Sequence, residues 1–272
     1  MPEGPEIRRV ADKLISCLVG KQILSMRLIY PAISNAESLI KDCSVISVHS
    51  IGKALLINFQ NGYTLYSHNQ LYGKWTINNV TTIPKTNRSL RLEFITAKKA
   101  VRLWSATEIL LMKTCEIDNN SYIKKLGPDI LNENINYNKI AERLSSSVCK
   151  NRIVAHILLD QKVFAGLGNY LRSEILFNAN LNPYKKPKEL NCDAITNLAK
   201  SIKNTTFTAY KNNGVTVSNE ISIKGKLDKL PRKQWKHYVF CRNNLACFIC
   251  NQKILRIRIS GRRLDYCPSC QM

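Results

Sequence analysis

The chain has 272 residues, 44% of them hydrophobic, and carries 41 Lys and Arg against 19 Asp and Glu, a formal charge of +22. That length buries a sizeable core and suits two domains, while the charge points to a polyanionic partner. The absence of any apolar run of roughly 18 residues argues against a membrane span, and no signal-peptide pattern follows Met1, so the expected compartment is the cytosol.

The first six residues, Met1-Pro2-Glu3-Gly4-Pro5-Glu6, have chemistry of their own. Removal of Met1, which a small second residue permits, leaves Pro2 as a secondary amine at the terminus. An α-amino group titrates near pH 8, against about 10.4 for Lys, so it keeps a larger nucleophilic fraction at neutral pH. Condensed with an aldehyde or an opened sugar C1′, a secondary amine gives an iminium with no N–H proton to lose, an obligate electron sink. Glu3 is the adjacent carboxylic acid. The same hexapeptide also reads as a plain helix start, with Pro5 pre-setting φ and Glu6 in the first turn.

From Pro5 to Leu18, Ile7, Val10, Ala11, Leu14 and Leu18 recur at helical spacing, and Gly20 stands where a C-terminal glycine belongs. Between about 21 and 112 the period becomes two, in Gln22-Ile29, Val45-Val48, Ala54-Phe59, Thr64-His68, Leu90-Ile95 and Ala100-Trp104. About eight strands in a sandwich or open barrel are expected, with hairpin turns at Asn61-Gly62, a type I′ signal, and at Lys98-Lys99. Gly52-Lys53 puts a cation at the mouth of an apolar strand, either to meet a phosphate or sugar oxygen or simply to be solvated. His68-Asn69-Gln70-Leu71-Tyr72-Gly73 offers an amide, an apolar and an aromatic side chain in succession. They form either a wedge for a base stack or a loop with two core anchors.

Residues 113 to 136 are largely polar and read as the region between domains. Helical spacing then returns in Ile140, Leu144 and Val148, in Ile153, Ile157 and Leu158, and in Asp193 to Tyr210. Between them Gly166-Leu167-Gly168-Asn169 feeds a helix whose N-terminus suits a phosphate. Asn169 caps that helix, points an amide at the phosphate, or does both. Residues 211 to 238, with Gly214, Gly225 and many Lys, show weak periodicity and are expected as a mobile loop.

Ten cysteines without a secretory signal argue against a disulfide framework. Cys17, Cys43, Cys115, Cys149, Cys192 and Cys241 read as scattered buried thiols. Cys247-x2-Cys250 and Cys267-x2-Cys270 match the spacing of a four-thiolate zinc hairpin. Four protein ligands leave no open position, so such a zinc is structural. Residues 224 to 263 hold 12 Lys and Arg against one acid, Asp228. Ile254 to Ile259 alternates as a strand, and Ser260-Gly261-Arg262-Arg263 forms a tip suited to a phosphate or a groove.

These pieces, collinear over essentially the full length, resemble the formamidopyrimidine-DNA glycosylase and endonuclease VIII family of base-excision repair enzymes. The resemblance is carried by Met1-Pro-Glu-Gly-Pro-Glu6, Gly52-Lys53, Gly166-Leu-Gly-Asn-Tyr-Leu-Arg-Ser-Glu174, Gly261-Arg262 and Cys267-Pro-Ser-Cys-Gln271. Within the family, Leu65-Tyr-Ser-His-Asn-Gln-Leu-Tyr-Gly-Lys-Trp75 and Gly127-Pro-Asp-Ile-Leu131 resemble the bacterial endonuclease VIII branch. The resemblance implies an α+β fold: an N-terminal helix and β-sandwich over residues 1–125, a linker over 126–136, then a helix-two-turn-helix domain over 137–272. That second domain ends in a four-cysteine zinc-finger hairpin from about 241. It implies a monomeric, nucleoid-associated bacterial DNA glycosylase and AP lyase that removes oxidised pyrimidines from duplex DNA and cuts the strand by β,δ-elimination. Pro2 is then the nucleophile at C1′, Glu3 the acid-base residue and Lys53 its support. Gln70, Leu71 and Tyr72 fill the gap left by the flipped base, Asn169 and Arg262 grip flanking phosphates, and Cys247, Cys250, Cys267 and Cys270 hold Zn2+. Two alternatives stand beside this: the same chemistry on oxidised purines, and a zinc-finger nucleic-acid-binding protein without chemistry. Arg263, Asp265 and the 211–238 segment stand apart from the expected pattern.

Overall fold

In the computed structural model, which describes residues 2–272, the chain divides into two compact units, Met1–Lys125 and Leu126–Met272. Met1, and with it the expected removal of that residue, lies outside the described residues.

The first unit begins with α1 (Gly4–Leu18), where Glu3 is the N-cap and its N–H donates to Glu6 Oε2 at 3.0 Å. Ile7, Ala11, Leu14 and Leu18 form the buried stripe, and Gly20 takes a φ of +65° to leave the helix. After it come β1 (Ser25–Leu28), α2 (Glu37–Ile40), β2 (Val45–Ile51), β3 (Ala54–Phe59), β4 (Tyr63–His68), β5 (Lys74–Asn79), β6 (Leu90–Ile95), β7 (Lys99–Trp104) and β8 (Glu108–Lys113). They build two four-stranded antiparallel sheets, ordered β2-β3-β4-β8 and β1-β6-β7-β5. Ile57, Phe59, Phe94 and Leu103 are among the core residues of this sandwich.

β3 is apolar along most of its length because it is covered on both sides. Ala54 and Leu56 pack with Tyr66, Tyr122 and Ile123, so residues 114–125 fold back as two 3₁₀ turns over the sheet. β8 escapes the period-two pattern because Ile109-Leu110-Leu111-Met112 is a continuous apolar run. The Asn61-Gly62 turn is not type I′. Three residues connect β3 to β4 and only Gly62 has positive φ, +82°, which fits a type I turn closed by a left-handed glycine. The next hairpin turns over 96–98, closed by Thr96 N–H to Lys99 O at 2.9 Å.

The second unit contains α3 (Tyr137–Ser145), α4 (Val154–Ile157), α5 (Asn169–Asn178), α6 (Cys192–Lys211), α7 (Asn219–Leu227), α8 (Arg232–Trp235) and the hairpin β9 (Leu255–Ile259) and β10 (Arg262–Tyr266). α5 is buried from Tyr170 through Phe177 and is the central helix of the unit. Residues 126–136 pack against it as well: Gly127 N–H donates to Gln161 O at 2.8 Å and Ile130 is fully buried.

The 211–238 segment is not a structureless loop. It forms α7 and α8, with Trp235 buried so tightly against Gly225 that a Cβ there would come within 2.4 Å of the indole. This contact, with Thr216 N–H on Lys236 O at 2.9 Å and Ser218 N–H on Tyr238 Oη at 3.1 Å, orders the segment where periodicity gives no signal. Of the six scattered cysteines only Cys149 is buried; Cys115, Cys192 and Cys241 are exposed. Among the described residues no helix is long and apolar enough to cross a membrane.

Candidate active site and metal centre

Pro2 is half-buried, and Glu3 beside it is 4% exposed although it starts a helix. α1 packs against β2 and β3, the hairpin whose two-residue turn is Gly52-Lys53. Gly52 takes φ +58° while Lys53 keeps a negative φ, the II′ pattern that glycine permits. Lys53 is 6% exposed, so it is not a solvated strand-end cation. Its backbone N–H donates to Tyr122 Oη at 3.0 Å, and Tyr122 in turn meets the His68 ring edge-on with centroids 4.9 Å apart.

His68 ends β4, with Ala54 opposite it on one side and Glu108 on the other. Burial pulls its pKa below the usual histidine value, with the Lys53 charge adding to that effect and Glu108 opposing it. Its Nδ1 accepts the Gln70 N–H at 3.1 Å, so this nitrogen carries no proton in this arrangement. Gln70 takes φ +47°, and its side-chain amide donates to Glu108 Oε2 at 3.1 Å. Glu108 Oε1 accepts the buried Tyr66 hydroxyl at 3.0 Å, and the tyrosine pKa is raised, first by burial and then by Glu108. Gly73 closes the turn because a Cβ there would lie 2.6 Å from the Asn69 backbone. The turn thereby holds Leu71 and Tyr72 outward, each 64% exposed, so neither is a core anchor.

In the second unit the cap of α5 is Gly168, with no side-chain capping bond. Asn169 is the first helical residue and half-buried, so capping does not occupy its amide. Arg262 is exposed at the start of β10, just after Ser260 and Gly261, whose φ values of +48° and +72° make the tip a true type I′ turn.

The link between α5 and this hairpin is made by hydrogen bonds, most of them from a buried guanidinium. The Arg172 guanidinium, fully buried, donates to the carbonyls of Arg262 at 3.3 Å, Arg263 at 2.9 Å and Ala155 at 3.3 Å. Ser173 Oγ accepts the Asp265 N–H at 3.2 Å. Glu174 accepts the N–H groups of Tyr238, Val239 and Phe240 at 2.8, 2.9 and 2.9 Å, and the Thr216 hydroxyl at 2.6 Å. Complete burial pushes its pKa up, and these four donors push it back down. Asp265, fully buried, takes the Cys241 N–H at 2.7 Å, Arg256 Nε at 2.6 Å and the Arg263 guanidinium at 3.7 Å. Arg263 also lies 4.3 Å from the Phe240 ring centroid. The two residues that stood apart therefore form one cluster around the buried Asp265 carboxylate, on the strand carrying Arg262. Positioning groups such as Tyr122 and Glu108 carry no local signal in the sequence, whereas Arg172 lies within the Gly166–Glu174 motif.

The thiols of Cys247, Cys250, Cys267 and Cys270 all lie within 4.8 Å of one another, with 3.9 Å between Cys247 and Cys270 and 3.4 Å between Cys250 and Cys267. A tetrahedral ion with bonds of about 2.3 Å to sulfur separates its ligands by roughly 3.8 Å, so the four cysteines are spaced to hold a metal ion.

Residues 1–106 match the formamidopyrimidine-DNA glycosylase N-terminal domain and residues 126–220 the formamidopyrimidine-DNA glycosylase H2TH domain. Endonuclease 8 of Escherichia coli O1:K1 / APEC is 37% identical over 271 residues, 100% of both chains, and Endonuclease 8 of Shigella flexneri serotype 5b is equally similar. Lactococcus lactis formamidopyrimidine-DNA glycosylase, solved non-covalently bound to DNA containing an AP site, is similar with a TM-score of 0.79 at 24% identity over 99% of each chain. The same enzyme with DNA containing an oxidised pyrimidine gives a TM-score of 0.81 at 24% identity over 100% of each chain. Both domain matches and the full-length identity agree: the chain belongs to the formamidopyrimidine-DNA glycosylase and endonuclease 8 family, DNA glycosylases with AP lyase activity.

Proposed function

We propose that the protein removes oxidised pyrimidines from double-stranded DNA in the bacterial cytoplasm, with Pro2 as nucleophile, and cleaves the strand by β,δ-elimination. The carrying observation is the 37% full-length identity to Endonuclease 8, the branch that the Leu65–Trp75 stretch resembles. The related glycosylase solved with an oxidised-pyrimidine DNA shares the fold and is compatible with that substrate class.

The Pro2 amine attacks C1′ as the C1′–N bond to the base breaks, its proton passing to the departing base, and the resulting aminal becomes an iminium when the C1′–O4′ bond breaks. Glu3 delivers a proton as the sugar ring opens. Its carboxyl group is next to Pro2 in the chain and shielded from bulk water, where a proton can pass between it and the reacting sugar. Lys53, equally buried, supports that proton traffic and meets the neighbouring phosphate. The cationic iminium acidifies C2′, and elimination expels the 3′ phosphate and then the 5′ phosphate. Gln70, Leu71 and Tyr72 fill the vacated stack; unstacking costs a few kcal/mol, and apolar and aromatic inserts offset part of it. Asn169 and Arg262 grip the phosphates on either side of the lesion. Zinc is the ion we assign to the four cysteines, as a structural staple that takes no part in the chemistry.

Borohydride reduction tests the mechanism. Wild-type protein is expected to form a covalent adduct with thymine-glycol or abasic duplex, and a Pro2→Gly variant to form none. DNA binding without any adduct would leave only the binding-protein reading. Thymine glycol is expected to be released faster than 8-oxoguanine, and the reverse order would move the protein to oxidised purines.

A further inference from the structure

Strand order separates two flanks of the Gln70–Tyr72 turn. Ala54, on one side of His68, adjoins the Gly52-Lys53 turn; Glu108, on the other, adjoins the β7–β8 connection. On this second flank lies a groove of about 750 Å³ bounded by Tyr72, Lys85, Asn87, Arg88, Arg91 and Thr107. Three of its side chains are cations and none is acidic.

The groove is joined to the wedge itself. The Arg88 guanidinium donates to the Tyr72 backbone carbonyl. The Arg91 guanidinium sits 5.6 Å from the Tyr30 ring centroid, and its Nε is buried with no hydrogen-bond partner among the described residues. Uncompensated guanidinium and ammonium groups beside an exposed phenol, an amide and a hydroxyl suit a phosphodiester whose base lies against an aromatic face.

We infer that this groove binds the undamaged strand at the nucleotide opposite the lesion, with Lys85 and Arg91 on its phosphate and Asn87 and Tyr72 toward its base. The inference rests on the proposed glycosylase reading, in which the damaged nucleotide is drawn to the Lys53 flank. The nucleotide left behind then faces the other flank of the same turn. Here Tyr72 has a second role, as the wall that the two sites share.

The test compares binding to two probes that need no chemistry: a duplex and a single-stranded oligonucleotide, each with a tetrahydrofuran abasic analogue. Lys85→Ala/Arg91→Ala is expected to weaken duplex binding by about ten-fold or more and to lower its salt slope by about one, since the two cations meet one phosphate and each phosphate neutralised contributes nearly one. Single-strand binding stays within about two-fold, and the spread of affinities among the four opposite bases narrows. An unchanged duplex-to-single-strand ratio overturns the inference. Lys85 is exposed, so Lys85→Glu carries the same expectation should the double variant lose its unfolding transition. Wild-type protein that binds the duplex but traps no borohydride adduct would instead remove the glycosylase reading, and the ratio would still be measurable.

Discussion

The two units hold their candidate groups by opposite means. In the first, Pro2, Glu3, Lys53 and the Leu71-Tyr72 pair sit at the chain end and at turns between strands, held by a sandwich core and a few local hydrogen bonds such as Glu3 N–H to Glu6 and the Gln70 amide to Glu108. In the second, Asn169 and Arg262 are aligned by the buried charges of Arg172, Glu174 and Asp265, nearly all of them paired with backbone groups. Attacking and inserting groups need exposed or reachable positions, whereas phosphate-gripping groups need a fixed spacing. Buried charge supplies fixed spacing because any departure leaves an ion unpaired in a low-dielectric interior.

Metal removal is the harshest test of this contrast. Zinc in small sites contributes roughly 10–16 kcal/mol to folding, so Cys250→Ser or chelation is expected to unfold the hairpin and abolish tight DNA binding. Metal analysis should give about one equivalent in the wild type; intact binding without metal would break the comparison. Glu3→Gln comes next, with an expected loss of about 10²–10⁴-fold in single-turnover base release and a smaller loss on a preformed abasic site. Equal losses on both substrates would place Glu3 outside the base-release step. Asp265→Ala leaves the Cys241 N–H without its buried acceptor and two part-exposed guanidinium groups without their carboxylate, and is expected to cost about 1–3 kcal/mol in urea unfolding, confined to the second unit's transition.

The smallest effect is a pH dependence. His237 is held near a pKa of about 3, first by burial and then by Lys236 and Arg232, while its Nδ1 lies 2.9 Å from the Thr216 hydroxyl. A histidine depressed on folding contributes stability that is present above its unfolded pKa of about 6.5 and is lost as pH falls toward about 3. Glu174, raised on folding, acts with the opposite sign and blunts the slope at the acid end. His237→Asn is expected to flatten the loss between pH 6 and 4 by up to about 1.4 kcal/mol per pH unit, read by thermal unfolding. An unchanged slope would show that His237 does not drive it.

Much of the first unit was legible because α1 and most of the strands obey simple periods, and because Gly20, Gly52 and Gly62 mark where the chain must turn. β8 was not, since a run covered on both faces does not alternate. In the second unit the four cysteines declared themselves by spacing, while the 211–238 segment did not: its order comes from contacts with no period, the Trp235 indole against Gly225 and the Thr216 hydroxyl and Tyr238 N–H on Glu174. Asn169 shows the same limit. Whether an asparagine at a helix mouth caps the helix depends on where the helix starts, and here it starts one residue earlier than the side chain could serve.

Chain chemistry alone determined that Pro2 and Glu3 adjoin, that four thiols share a hairpin and that the partner is a polyanion, because covalent neighbours, fixed spacings and net charge survive any fold. Tertiary structure alone decided that Lys53 is buried, that Leu71 and Tyr72 face outward and that Arg263 and Asp265 serve the strand of Arg262. Burial and pairing are set by which distant segments meet, and no local pattern of residues encodes that meeting.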